Sequence, residues 1–182
     1  MNKKRKLLID TSLNLFYANG INSIGINEIL KISGVAKQTL YSHFESKESL
    51  ILAALEQRHM NFIGWLEAKL QGADSNEKMI IQLFNALDSW FTNSEPMLGD
   101  FQGCLFINSS AEFSNRSSDI SLFCKMHKHK VREIIALHMT KENPFLLDAI
   151  CIMKEGAITS AYVTGDYSTA MKCIQILNDI EC

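Results

Sequence analysis

Apolar side chains recur at steps of three and four along almost the whole chain, and no stretch alternates apolar with polar residues. Leu7, Leu8, Thr11, Leu15 and Ala18, widened by Ile9, Leu13 and Phe16, predict a helix from Lys3 to Asn19 that stops at Gly20. Two shorter periods follow, Ile26 to Ser33 and Lys37 to Phe44, parted by a turn around Gly34. Ser46-Lys47-Glu48-Ser49 then opens a long helix reaching about residue 70, with Ser46 as its N-cap and Ser49 where a capping box would carry Glu. Residues 71–76 read as a loop. Further helices are expected at roughly 76–93, 101–114, 117–140, 144–165 and 168–181, with Pro144 in a first turn behind an Asn143 cap. The pattern predicts an all-α protein of about nine helices without internal repeats.

Composition agrees. Nine Gly and two Pro among 182 residues are too few for the many tight turns of a β-sandwich, and 47% hydrophobic residues suffice for a packed core. No apolar run reaches the roughly 18 residues of a membrane span. Lys3 to Lys6 resemble the basic start of an export signal, but Leu7-Leu8-Ile9 gives way to Asp10 too soon, so a cytoplasmic protein with no membrane contact is expected. The five cysteines (Cys104, Cys124, Cys151, Cys173 and Cys182) are odd in number and show no CxxC spacing, which suits reduced thiols.

The net charge of -2 hides an asymmetry. Residues 1–60 carry eight basic groups against five acids, whereas the remainder is acidic. A basic head on an acidic body points to a polyanion met by the head alone. Within it, two short helices joined through Gly34 have the form of a helix-turn-helix. Ile29, Leu30, Val35, Leu40 and Phe44 are placed to fill the angle between them. Lys37, Gln38, Thr39, Tyr41, Ser42 and His43 face outward on the second helix; all can hydrogen-bond and none is acidic, as a surface meeting phosphates requires. Lys3 to Lys6 are expected to form either an arm near the phosphates or a solvated, frayed terminus.

Gly34-Val35-Ala36-Lys37-Gln38-Thr39-Leu40-Tyr41-Ser42-His43-Phe44, followed by Ser46-Lys47-Glu48-Ser49-Leu50, resembles the tetracycline-repressor (TetR) family of bacterial regulators over about residues 5–55. The resemblance implies a homodimeric transcription factor, usually a repressor, with a three-helix DNA-binding domain at residues 1–46. Residues 47–182 would bind an effector and dimerise. It implies that Gln38 and Thr39 face bases with Ser42 near the groove, and that Lys37, Tyr41, His43 and Lys47 bind phosphates. Gly25 and Ala36 depart from the pattern by lacking the hydroxyl often found there. The last two helices, carrying Leu146, Ile150, Ile158, Met171, Ile176, Leu177 and Ile180 among others, would pair with their copies across a twofold axis. That symmetry predicts a palindromic double-stranded operator with half-sites about 34–36 Å apart.

For the effector, a small molecule of unidentified chemistry, the expected pocket residues are Trp65, Phe84, Leu87, Trp90, Cys104, Leu105, Asn108, Glu112, Phe123, His127 and Tyr162. Asn108 and Glu112 share a helix face; a buried Glu112 needs a partner, which could be a ligand, Arg116, Lys125 or a neighbouring helix end. Cys124, His127, His129 and His138 are the candidate metal donors, but only Cys124 and His127 share a face, so no metal or other cofactor is expected. No nucleophile–base pair or phosphate loop is visible, so no enzyme is expected. The alternatives are an activator, a regulator without an effector, or, in another class, a helical small-molecule-binding protein or enzyme that ignores DNA. A mobility-shift assay separates that last class from the others.

Overall fold

The computed structural model of the chain describes residues 2–181; Cys182 and the side chain of Ile180, both invoked above, lie outside the described residues. Nine α-helices and no strand are found among the described residues: α1 (Lys3–Asn19), α2 (Ile26–Ser33), α3 (Lys37–His43), α4 (Lys47–Leu70), α5 (Asn76–Phe91), α6 (Leu105–Glu112), α7 (Asp119–His138), α8 (Pro144–Thr164) and α9 (Thr169–Glu181). The all-α expectation therefore holds. None of these helices is long and apolar enough to cross a membrane.

Local chemistry sets the helix ends. Gly34 and Gly165 close α2 and α8 in the left-handed conformation, which costs glycine nothing. Asn143 accepts from the Leu146 N–H at 3.1 Å ahead of Pro144. At the start of α4 the Ser46 Oγ accepts from the Ser49 N–H and the Ser49 Oγ from the Ser46 N–H, both at 3.1 Å. A serine thus does the reciprocal work usually given to glutamate.

Three expectations shift. Helix α6 starts at Leu105 rather than 101, because Gly103 has φ +75° and the ring of Tyr162 stands where its Cβ would be. Lys3 to Lys6 do not form an arm: they are the first turn of α1, capped by the Asn2 side chain, with Lys6 paired to Asp10. The buried face of α1 is also rotated from the expected stripe, to Leu8, Ile9, Ser12 and Phe16, leaving Leu7 exposed.

The chain divides into two compact units, one comprising the residues up to Met60 with Leu105–His127, the other Asn61–Cys104 with the residues from Lys128 on. In the first, α1 packs on α2 and α3 around Leu8, Phe16, Ile29 and Leu40. The Arg5 guanidinium lies 5.2 Å above the Phe44 ring and that of Arg58 4.5 Å above Tyr17, so two cations of the basic head cover aromatic faces. In the second unit, α5, α8 and α9 pack together. Phe62, Trp65, Trp90, Phe91 and Phe101 form a cluster of mutually tilted and edge-on rings.

Candidate nucleic-acid interface

The α2–α3 corner is built from a few buried groups. Ile29, Val35, Leu40 and Phe44 are buried, Leu30 half-buried. The Gly34 N–H donates to the Leu30 carbonyl at 3.0 Å, and the Val35 N–H to the Ser33 hydroxyl at 3.3 Å. With Leu40 fixed inward, the 3.6-residue period puts Lys37, Gln38, Tyr41 and Ser42 in solvent, with Thr39 and His43 half-buried beside them. These are the outward residues expected from the sequence. The Ser42 hydroxyl donates to the Thr39 carbonyl at 2.8 Å, which leaves its oxygen as an acceptor. Neither Gly25 nor Ala36 supplies a side-chain cap, as their missing hydroxyls require.

The turn between α1 and α2 is held from two sides. Lys47, expected at a phosphate, gives one Nζ proton to the Ile21 carbonyl at 3.0 Å and keeps two others. Glu112, expected at the effector pocket, faces this turn: its Oε1 accepts from the Ile21 N–H at 2.9 Å and its Oε2 from the Asn22 N–H at 2.6 Å. The Asn22 amide returns a weaker bond to the Glu112 carbonyl at 3.4 Å. Gly20, at φ +83°, is the residue that lets the carboxylate come so close, since a Cβ there would lie 3.2 Å from Oε1. Both oxygens of Glu112 are engaged in charge-assisted bonds to backbone, the neighbouring-helix-end option among its possible partners.

A head of three helices with an acid-free outward face and this braced turn has a specific counterpart. Residues 8–54 match the profile of bacterial regulatory proteins of the tetR family. Over this segment the chain is similar to the TetR family. Among curated members of the family, it is 27% identical to the transcriptional repressor ComR of Escherichia coli over 71% of this chain and 60% of that one. It is 29% identical to the E. coli transcriptional repressor NemR over 64% of this chain and 57% of that one, so it spans less than two thirds of the length of either. The fold extends further than these alignments. A TetR-family regulator from Streptomyces coelicolor matches at TM-score 0.85 and 20% identity, covering 97% of this chain and 93% of that one. E. coli NemR in its reduced form matches at 0.83 and 20%, covering 98% and 96%.

The expected effector residues fall in different surroundings. Trp65, Phe84, Leu87 and Trp90 are fully packed, and the Trp65 indole N–H is bound to the Glu95 carboxylate at 2.9 Å. Leu105 is buried and Asn108 half-buried on α6. His127 is buried, its ring stacked 3.5 Å from that of Phe106 and its Nδ1 3.0 Å from the Nδ1 of His59. One of these facing nitrogens must carry the shared proton. Phe123 meets His59 edge-on and lines an open cleft of about 560 Å³ with Arg5, Leu52, Glu56 and Leu122. His129 points to solvent, and no group of three or more His, Cys, Asp or Glu suited to a metal occurs among the described residues.

Cys104 and Tyr162 lie together in the second unit. Tyr162 covers Gly103, and the Cys104 thiol accepts from the Lys128 ammonium at 3.3 Å. Lys128 also donates to Glu155 Oε2 at 2.6 Å, and Glu155 Oε1 receives Lys154. Burial works against the charge on Lys128, yet Cys104 and Glu155 beside it hold its pKa above the ordinary lysine value. Burial likewise opposes ionisation of Glu155, but Lys154 and Lys128 outweigh it and lower its pKa. Sequence reasoning named Cys104 and missed Lys128, Lys154 and Glu155. The signal for Lys154 was its place four residues after Ile150 and four before Ile158, inside an apolar stripe.

Proposed function

We propose that the protein is a sequence-specific DNA-binding transcriptional regulator, a repressor that leaves a palindromic operator when a small molecule binds its body. The observation that carries this reading is the exposed face of α3, where Lys37, Gln38, Tyr41 and Ser42 offer donors and acceptors and no acid intrudes. In this reading Gln38 and Thr39 meet base edges, Ser42 lies near the groove, and Lys37, Tyr41 and His43 meet phosphates. Lys47 meets a phosphate as well, with one of its three N–H groups given to the Ile21 carbonyl of the turn that seats α2.

A homodimer through α8 and α9 supplies the second reading head. Phe145, Ile152 and Val163 are exposed at steps of seven and eleven and so share one face of α8; Met171 and Ile176 are exposed on α9. Such a surface suits an isologous contact, and two heads on one operator double the phosphate contacts of one. Effector release then needs a ligand that binds the DNA-free arrangement more tightly than the DNA-bound one. Residues 1–46 are the reading domain and 47–182 the effector and dimer domain of a cytoplasmic protein.

The test is a mobility-shift assay on the DNA upstream of the protein's own gene, at low and at physiological salt. A retarded band competed by specific but not by unrelated duplex supports the reading. No shift at low salt, or equal competition by any duplex, overturns it.

A further inference from the structure

Helix α8 buries Leu146, Ile150, Ala157, Ile158 and Ala161, and in the middle of that stripe it buries Lys154, which is 3% exposed. A leucine there would continue the stripe and cost nothing, whereas an ammonium loses its hydration. The sole acceptor for Lys154 among the described residues is Glu155 Oε1. That carboxylate is shared, because its other oxygen takes Lys128. Two ammonium groups thus face one carboxylate, and Lys154 has two N–H groups to spare. The neighbouring cation–anion pair, Arg132 with Asp148 at 2.7 Å, is balanced in itself and lends no anion.

A surplus buried cation raises the cost of the folded state unless something compensates it, and replacing such ion clusters by apolar residues is often stabilising. The compensation need not be a protein group. The side chains of Lys128 and Glu155 are 30% and 32% exposed, so the cluster is reached from solvent on their side, with Lys154 beneath them. The Cys104 thiol borders the same spot and can donate to an incoming oxygen.

We propose that Lys154 and Lys128 form the anion-binding end of the effector site, and that the effector is a monocarboxylate. One negative charge brings the cluster to two carboxylates for two ammoniums; a dianion would leave a deficit of the opposite sign. The carboxylate accepts from the N–H groups that Glu155 leaves over on Lys154 and from Lys128. This specifies the ligand class within the reading given under Proposed function and rests on it for the consequence at DNA, not for binding itself.

The test uses the full chain and benzoate, with benzamide as the neutral analogue of the same shape and sulfate as a dianion, read by thermal shift and calorimetry. Benzoate is expected to raise the melting temperature saturably, and benzamide and sulfate to do so at least about tenfold more weakly in concentration. K154M is expected to fold, to melt no lower than the parent, and to lose the benzoate response. E155Q is expected to bind benzoate more tightly, because it frees both ammoniums; this arm decides the matter if K154M does not fold. The proposal is overturned by equal responses to benzoate and benzamide, by sulfate outdoing benzoate, by no saturable response, by an undiminished response in folded K154M, or by weaker binding in E155Q. Operator binding is measured separately: its absence sinks the regulator reading and leaves carboxylate binding standing, and its presence with no benzoate response does the reverse.

Discussion

Two glutamates, one in each compact unit, meet the same requirement by different means. Glu112 receives two backbone N–H groups of the α1–α2 turn, which carry no net charge and cannot move without moving the turn. Glu155 receives two ammonium groups on long side chains and leaves the cluster cationic. The first arrangement is complete and fixes geometry. The second is charge-deficient, with a place for an exchangeable partner. The contrast separates a brace from a receptor by counting donors and charges.

The largest expected effect tests the brace. Glu112→Ala strands the Ile21 and Asn22 N–H groups and should cost about 2 kcal/mol, read as a lower urea midpoint with unchanged slope. Glu112→Gln keeps one good acceptor and should cost about half as much. Equal and negligible losses in both would break the comparison. Next, Gly20→Ala should cost about 1 kcal/mol, since it puts an L side chain at positive φ and crowds the carboxylate. In the E112A background that penalty should shrink, because the crowded partner is gone.

At the reading face, Tyr41→Ala should weaken binding to all duplexes alike, while Gln38→Ala should change the base preferred by about 1 kcal/mol or more, measured by competition on operator variants. Acid sharpens the contrast further. The pKa of Glu155 is depressed, so the stability it contributes is complete above its ordinary value of 4.5 and is lost as the pH falls through the lowered one. The acid limb of unfolding should therefore flatten in E155Q. The smallest effect belongs to exposed Asp166, held at about 2 by the Lys172 ammonium and the Ser168 hydroxyl. Lys172→Met should bring its titration, followed by carboxyl NMR shifts, back toward 3.8.

Much of the head was legible in the sequence because its information is local. Eleven contiguous residues from Gly34 to Phe44 contain the turn, the buried Leu40 and the outward donors, and a helical period alone sorts them. Helix α6 was read too long because Gly103 is one residue in an apolar run, and its positive φ becomes necessary only when Tyr162 lies against it. The partner of Glu112 was unreadable for another reason. Backbone N–H groups about 90 residues away belong to every sequence equally, so nothing in their side chains advertises the bond. The cluster around Lys154 lay in between: its period was visible, but counting its charges needed α7 and α8 side by side.

The bond from Glu112 to the α1–α2 turn has a bearing on how the molecule can be cut and recombined. A fragment ending after α4 would lack the carboxylate that seals residues 20–22, and would begin life with that corner loosened however well its four helices pack. Grafting the head onto a different body meets the same difficulty unless the donor segment at 105–112 travels with it. The transplantable piece is therefore discontinuous in the gene, and a chimera designed on the contiguous stretch alone would inherit the fingers without the wrist.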